Sequence, residues 1–261
     1  LHFPNLAETP PDPIAGAFIP QAHSHNDYEQ SRPFHLAYEN GFASVEADVF
    51  LVKGELLVAH DRKDIKPDRT LKSLYLEPMR WAARQNNGWL YHPGQQMILM
   101  VDMKDDGAEA WKVLRQQAIQ YSDIIWPKGR GPVRIVVSGD RPRSLILGDS
   151  PNWTTMDGRW DDLDIIEDGI SMISENWRSH FSNVGLTPFK DEESRKLKDW
   201  TGRAHARRRL VRFWATPESE RLWSTLLDHK VDLIGTDQPA RLAAFLCDWN
   251  ARNPSFRSYA P

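Results

Sequence analysis

Eight short apolar runs recur along the chain, at 17–22, 44–52, 97–103, 133–138, 153–156, 170–174, 211–215 and 233–236. Most are separated from the next by a stretch with helical periodicity, such as Ala108–Tyr121, where Trp111, Leu114, Ala118 and Tyr121 share one face. Strand-sized apolar runs alternating with amphipathic helices read as βα units around a buried parallel sheet. Eight units predict an α/β protein of the (β/α)8 TIM-barrel type, a fold that occupies about 250 residues as one domain. The chain has 261. A doubly wound open sheet would show the same alternation, but the first βα turn has no glycine-rich dinucleotide fingerprint.

The predicted barrel spans 17–250. Residues 1–16 precede it as an extended arm, because Pro4, Pro10, Pro11 and Pro13 remove backbone donors. Residues 251–261 form a tail. The chain starts at Leu1, and the proline-rich arm fits a linker left after removal of a secretion signal, which predicts a secreted or periplasmic protein. Ser44–Val52 and Glu55–Ala59 flank Lys53-Gly54, a two-residue hairpin signal inside the second unit. Tryptophans 81, 111, 223 and 249 fall on helix faces that pack the core, and Cys247 on the last helix is expected to be buried filler.

Composition excludes several classes. At 40% hydrophobic and 26% charged, the chain can fill a core and is not disordered. The net charge of −3 lacks the basic excess of a dedicated nucleic-acid binder. No apolar run approaches the ~20 residues of a membrane span. With Cys247 alone, neither an intrachain disulfide nor a thiolate metal cage can form.

Acidic and imidazole side chains gather at the C-terminal ends of the runs, the end where TIM barrels carry their active residues. The first run ends in His23-Ser24-His25-Asn26, the second carries Glu46 and Asp48, its hairpin partner ends in His60-Asp61, and the third ends in Asp102-Met103-Lys104. The two-residue period of a strand puts Glu46 with Asp48, and Asp102 with Lys104. Three converging carboxylates would raise at least one pKa unless a cation neutralises them. Carboxylates with the Asn26 amide suit a hard ion, one Ca²⁺ or Mg²⁺. His25 and His60 are the candidate acid/base pair, because imidazole exchanges protons near neutrality. A two-residue turn would pair 47 with 60 and face His60 away from Glu46 and Asp48, so a bulge or loss of pairing near Ala59 must turn it inward.

At these residues the chain resembles the superfamily of phosphatidylinositol-specific phospholipase C and glycerophosphodiester phosphodiesterase. Ser24-His25-Asn26, Glu46-x-Asp48, His60-Asp61, Asp102-x-Lys104 and Gly235-Thr236-Asp237-x-Pro239 carry the likeness. Bacterial and fungal proteins of the "altered inheritance of mitochondria" type are more similar still. They share His-Asn-Asp-Tyr (25–28), Val-Glu-Ala-Asp-Val (45–49), Asp-Gly-Arg (157–159), Ser-Glu-Asn-Trp (174–177) and Phe-Trp-Ala-Thr-Pro (213–217). The resemblance implies a barrel phosphodiesterase in which His25 and His60 move protons, with His25 as base. Asn26, Glu46, Asp48 and Asp102 would ligate the ion, and Lys104 would hold a phosphate oxygen. The expected substrate is a small-molecule or lipid phosphodiester, with transient membrane-surface contact, and the oligomeric state stays open. Two departures stand out: Asn26-Asp27 replaces the Arg-Gly of glycerophosphodiesterases, and Asp102 replaces their longer glutamate.

Asp157, Arg159, Asn176 and Trp214, at later strand ends, are candidates to shape the substrate pocket; Asp157 and Arg159 could equally pair with each other. Two rival readings remain. His23-x-His25 suggests a zinc amidohydrolase, which needs further nitrogen ligands that the mid-barrel strand ends do not offer. A non-catalytic lipid- or sugar-binding barrel would suit eleven tryptophans, although both imidazoles and all the carboxylates are retained.

Overall fold

A computed structural model describes residues 18–254. The arm expected at 1–16 and residues 255–261 lie outside the described residues.

All eight apolar runs are strands, now bounded as β1 Ile19–Ser24, β2 Phe42–Val52, β4 Met97–Met103, β5 Val133–Gly139, β6 Thr155–Gly158, β7 Ile170–Asn176, β8 Leu210–Trp214 and β9 Ile234–Thr236. A ninth strand, β3 Glu55–Val58, is the antiparallel hairpin partner of β2. Lys53 and Gly54 both have positive φ, 50° and 82°, as a two-residue hairpin turn that follows strand twist requires. The other eight strands pair in parallel in the order β8-β7-β6-β5-β4-β2-β1-β9. One bridge, Arg212 to Leu233, joins the two ends of this path, giving a nearly closed (β/α)8 barrel.

The helices are α1 His35–Glu39, α2 Glu77–Gln85, α3 Gly107–Gln120, α4 Arg143–Leu147, α5 Trp177–His180, α6 Asp191–Ala206, α7 Glu220–Asp228 and α8 Pro239–Arg252. The barrel boundary expected at 250 therefore falls inside α8. Strand residues alternate faces. Outward-facing Val45, Ala47, Leu99, Val101, Ile135 and Val137 pack with the helices in one large apolar cluster. Ile98, Met100, Val136, Met172, Leu210 and Leu233 form a separate cluster, which plugs the barrel interior below the polar rim. Trp111, Trp223 and Trp249 are buried and Trp81 partly so, as their helical spacing predicts. Cys247 corrects the expectation of burial: it is exposed, because Leu242, Leu246 and Trp249 already supply the core face of α8. The strand expected at 153–156 sits two residues later, since its rim end is the polar pair Asp157-Gly158.

Candidate active site

The rim of the barrel is built from the inside face of successive strands. Glu46, Asp48 and Asp102 each place a carboxylate oxygen within 4.8 Å of the others, and all three are buried or nearly so. The register explains it: Asp48 pairs with Asp102, and Glu46 with Met100, across the parallel β2–β4 ladder. Gly139 makes room on the next strand. A Cβ there would stand 2.6 Å from Asp102 Oδ1 and 2.4 Å from the Met103 carbonyl oxygen, and its φ of 70° also favours glycine.

Two cations face these three acids. Arg212 on β8 reaches across the barrel interior, and its Nη2 donates to Glu46 Oε2 at 2.7 Å. Lys104 Nζ lies 2.8 Å from Asp48 Oδ2 and 3.1 Å from Asp102 Oδ1. His23 bridges Ser44 Oγ at 2.7 Å and Glu46 Oε2 at 3.1 Å from a fully buried position. Burial alone would raise the Glu46 carboxyl, but Arg212 and His23 outweigh it and hold the group well below its usual range. Burial and the nearby guanidinium lower His23 to about 4, so its ring is neutral at pH 7. For Asp102, burial and the charges of Asp48 and Glu46 prevail over Lys104 and raise the pKa. For Lys104, Asp102 and Asp48 overcome the effect of burial and raise it.

Three carboxylates against two fixed cations leave one net negative charge at the rim. Asp48 Oδ1 is buried with no hydrogen-bond partner, and such an orphaned carboxylate oxygen is costly without a counter-charge. An all-oxygen donor set with one unsatisfied lone-pair site fits a hard divalent cation. Among the described residues, this is the one group of three or more acid, histidine or cysteine side chains arranged to hold an ion.

The histidines flank the acids from either side. His60 follows β3, whose pairing to β2 runs through Val49–Val58 to a last backbone bond from the Ala59 N–H to the Asp48 carbonyl oxygen at 3.2 Å. The chain beyond the last pair is therefore free to turn, and His60 Nδ1 lies 3.2 Å from Asp48 Oδ2 rather than on the Ala47 face. Pairing is thus lost just past Ala59, where the sequence requires the chain to turn. His25, just past the end of β1, has Nδ1 2.7 Å from Asp237 Oδ1. Asp237 in turn receives support from Glu218, which accepts from the Asp237 backbone N–H at 2.8 Å.

The Tyr28 hydroxyl ties the pieces together. It lies 2.7 Å from Asp48 Oδ2, 3.1 Å from Asn26 Oδ1 and 3.1 Å from His60 Nδ1. Burial and the Asp48 charge push its pKa well up, so it remains a proton donor. Asn26 adopts the left-handed conformation, φ 45°, which asparagine tolerates better than most residues.

The pocket candidates divide. Arg159 Nη1 donates to Asp157 Oδ2 at 2.8 Å, so those two do pair; the Arg159 guanidinium also lies 4.8 Å from the Trp214 ring centroid. Asp157 additionally accepts from Ser138 Oγ at 2.8 Å. Asn176 is the register partner of Trp214 across the β7–β8 ladder, and its side-chain oxygen also caps α5 by accepting from the Arg178 N–H at 2.9 Å. A cavity of about 120 Å³ lies beside His25 and Trp214, floored by Arg212, Gly235 and Thr236. Another, of about 500 Å³, opens beside His60 and is bordered by Tyr28, Lys63, Lys66 and Arg69.

Sequence reasoning missed Arg212, Tyr28 and Asp237 as parts of this centre. Arg212 carried a readable signal: a charged residue in the middle of an apolar strand, two positions from Trp214 and hence on the same face. The zinc arrangement receives no support, since His23 is enclosed by Ser44 and Glu46. His180 and His205 are held elsewhere, by Glu175 and Asp232.

Comparison with known proteins places this geometry. The chain is 29% identical over 269 residues to an altered inheritance of mitochondria protein 6 homolog of Arthroderma benhamiae, covering 87% of this chain and 84% of that one. It is 28% identical to altered inheritance of mitochondria protein 6 of Eremothecium gossypii, covering 87% and 69%. Among solved structures, a glycerophosphodiester phosphodiesterase from Parabacteroides distasonis shares the fold with a TM-score of 0.53 at 14% identity, covering 90% of this chain and 99% of that one. A calcium-dependent phosphoinositol-specific phospholipase C from Pseudomonas sp. does so with a TM-score of 0.52 at 12% identity, covering 88% and 93%. A family model of the AIM6-like phosphodiesterase domain matches residues 14–152, the segment that supplies both flanking histidines, Asn26, all three clustered carboxylates and Lys104. The chain thus belongs to the AIM6-like phosphodiesterase domain family.

Proposed function

We propose that this protein cleaves a phosphodiester with one bound divalent cation, Ca²⁺ or Mg²⁺, and His25 and His60 as the proton-transferring pair. The observation that carries the proposal is the rim cluster: three acids within 4.8 Å, one buried oxygen of Asp48 without a partner, and two imidazoles at its edges. The superfamily likeness of the fold agrees with it, and the structural neighbours include a calcium-dependent enzyme.

In this reading Glu46, Asp48 and Asp102, with the Asn26 amide, hold the ion. A divalent cation there would draw charge from a non-bridging phosphate oxygen and stabilise the crowded phosphorus. Lys104 adds a second positive charge for the phosphate. Asp237 fixes the tautomer and orientation of His25, so its free nitrogen can take a proton from the attacking hydroxyl. His60, held between Asp48 and the Tyr28 hydroxyl, delivers a proton to the departing alkoxide. Arg212 and His23 keep Glu46 ionised and fixed in place. The Arg159–Trp214 pair and the cavity beside His25 bind one arm of the substrate, and the cavity beside His60, with Lys63, Lys66 and Arg69, receives the other.

The substrate class we infer is a phospholipid head group or a glycerophosphodiester-like molecule. The test is turnover of bis(p-nitrophenyl) phosphate, followed by a panel of lipid and glycerol diesters, by chelator-treated protein given Ca²⁺, Mg²⁺ or Zn²⁺. Turnover restored by Ca²⁺ or Mg²⁺ and lost in both His25→Ala and His60→Ala supports the proposal. Silence across the whole panel, or activity confined to Zn²⁺ and an amide or lactone, refutes it.

A further inference from the structure

The N-terminal end of the barrel, opposite the rim, holds a cavity of about 580 Å³. It is bounded by the beginnings of β5, β6, β7 and β8 and by the loops that lead into them. Six cationic side chains line it: Lys128, Arg130, Arg134, Arg207, Arg208 and Arg209. Among the described residues none of the six pairs with a carboxylate within 4.0 Å, although ion pairs are frequent elsewhere, from Arg32–Glu39 ahead of β2 to Arg241–Glu220 at the last helices. Two acids, Glu167 and Asp168, share the lining, and Glu167 is already taken by Arg143 at 3.5 Å.

The two innermost arginines are fixed by neutral groups. Arg134 Nη2 donates to Gln96 Oε1 at 2.8 Å and to the Gly129 carbonyl at 3.2 Å. Arg209 is only 2% exposed, its Nη atoms bond backbone carbonyls of Asp162 and Ile165, and its Nε has no partner. Burial lowers the pKa of both, outweighing for Arg209 the nearby charges of Asp162 and Glu167. Six cations against two acids leave this lining with a net positive charge, which attracts an anionic ligand.

We propose that this cavity is a second, anion-binding site for a small ligand carrying two or more phosphate groups. Arginine forks match phosphate oxygens bidentately, and the volume falls in the range of about 300–1,000 Å³ typical of small-molecule sites. Trp89, edge-on to Trp126, supplies an apolar wall. The site is separate from the rim: residue 134 opens β5 and Ser138 sits at its far end, about 13 Å away at ~3.3 Å per residue. It depends on none of the catalytic assignments above.

The experiment is calorimetric titration of inositol hexakisphosphate into protein stripped of metal and desalted. One set uses the wild type, Arg207→Gln/Arg208→Gln and Arg130→Gln, all altered at exposed positions, and another uses Lys104→Ala at the rim. The expected result is one saturable site, weakened at least tenfold in the double variant and less in Arg130→Gln, and unchanged in Lys104→Ala. Thermal melting of each variant checks that the fold is intact. Co-sedimentation with vesicles containing phosphatidylinositol bisphosphate, against phosphatidylcholine alone, separates the sources: capture assigns a lipid head group, and binding of the soluble probe alone assigns a free solute. Equal binding by the wild type and the double variant, loss of binding in Lys104→Ala, or binding of neither probe overturns the proposal.

Discussion

Arg212 and Glu46, 166 residues apart in sequence, meet inside the barrel with Nη2 2.7 Å from Oε2, both side chains almost fully buried. The pair crosses the interior from β8 to β2, immediately beneath the rim acids. It ties the two halves of the barrel together and holds Glu46 ionised where burial alone would protonate it.

Removing one partner of such a pair leaves a buried charge without compensation, which costs about 3–5 kcal/mol. Arg212→Gln should therefore lose on the order of 3 kcal/mol of stability. Urea unfolding of the variant against the wild type measures the effect. A change under ~1 kcal/mol would show that the pair contributes little.

The imidazoles should behave differently from Arg212. Both lie at the rim with substantial exposure, so His25→Ala and His60→Ala should fold normally while turnover falls by about 10²–10⁴. Asp237→Asn, which leaves His25 in place but spoils its orientation, should lower kcat by a smaller factor. Comparison of kcat across the three variants at saturating substrate provides the check.

Arg159 lies over Trp214 and is paired with Asp157, and in the proposed reading it binds substrate rather than moving protons. Arg159→Ala should thus raise KM several-fold while leaving kcat within a factor of a few. A fall in kcat equal to that of the histidine variants would place Arg159 in the chemistry instead.

Asp27 gives a pH signature of folding. Burial raises its pKa from 3.8 to about 6, against the opposing hydrogen bonds from the Phe34 N–H and the Tyr75 hydroxyl. The native state therefore binds the proton more tightly than the unfolded chain does, and this contribution is fully present below about pH 4 and is lost as pH rises through about 6. A shift of about two units corresponds to about 2–3 kcal/mol. Asp27→Asn should gain on the order of 2 kcal/mol relative to the wild type on going from about pH 4 to about pH 7.5. Parallel stability profiles for the two proteins would contradict this assignment.

The fold is legible in the sequence because strands buried on both faces of a parallel sheet read as continuous apolar runs, and Met97–Met103 and Val133–Ser138 are such runs. β6 lies two residues beyond its apolar run for the complementary reason: Asp157-Gly158 looks like a loop until the rim is known to be polar. Glu46, Asp48 and Asp102 stand out as acids on one face of apolar strands. The register of His60 also follows from local rules, since a two-residue turn fixes which partner it would otherwise face. Arg212 is invisible as a partner of Glu46, because nothing local in a strand names the residue across a closed barrel. Cys247 misleads because cysteine is so often buried that its residue type outweighs its position on α8.

Whether the rim acids hold a divalent cation is read out by calorimetric titration of Ca²⁺ and Mg²⁺ into chelator-stripped, desalted protein. Saturable binding of one ion per chain is expected in the wild type, with at least a tenfold loss of affinity in Asp48→Asn and the fold retained. No saturable binding of either ion by the wild type, or equal affinity in the wild type and Asp48→Asn, would contradict it.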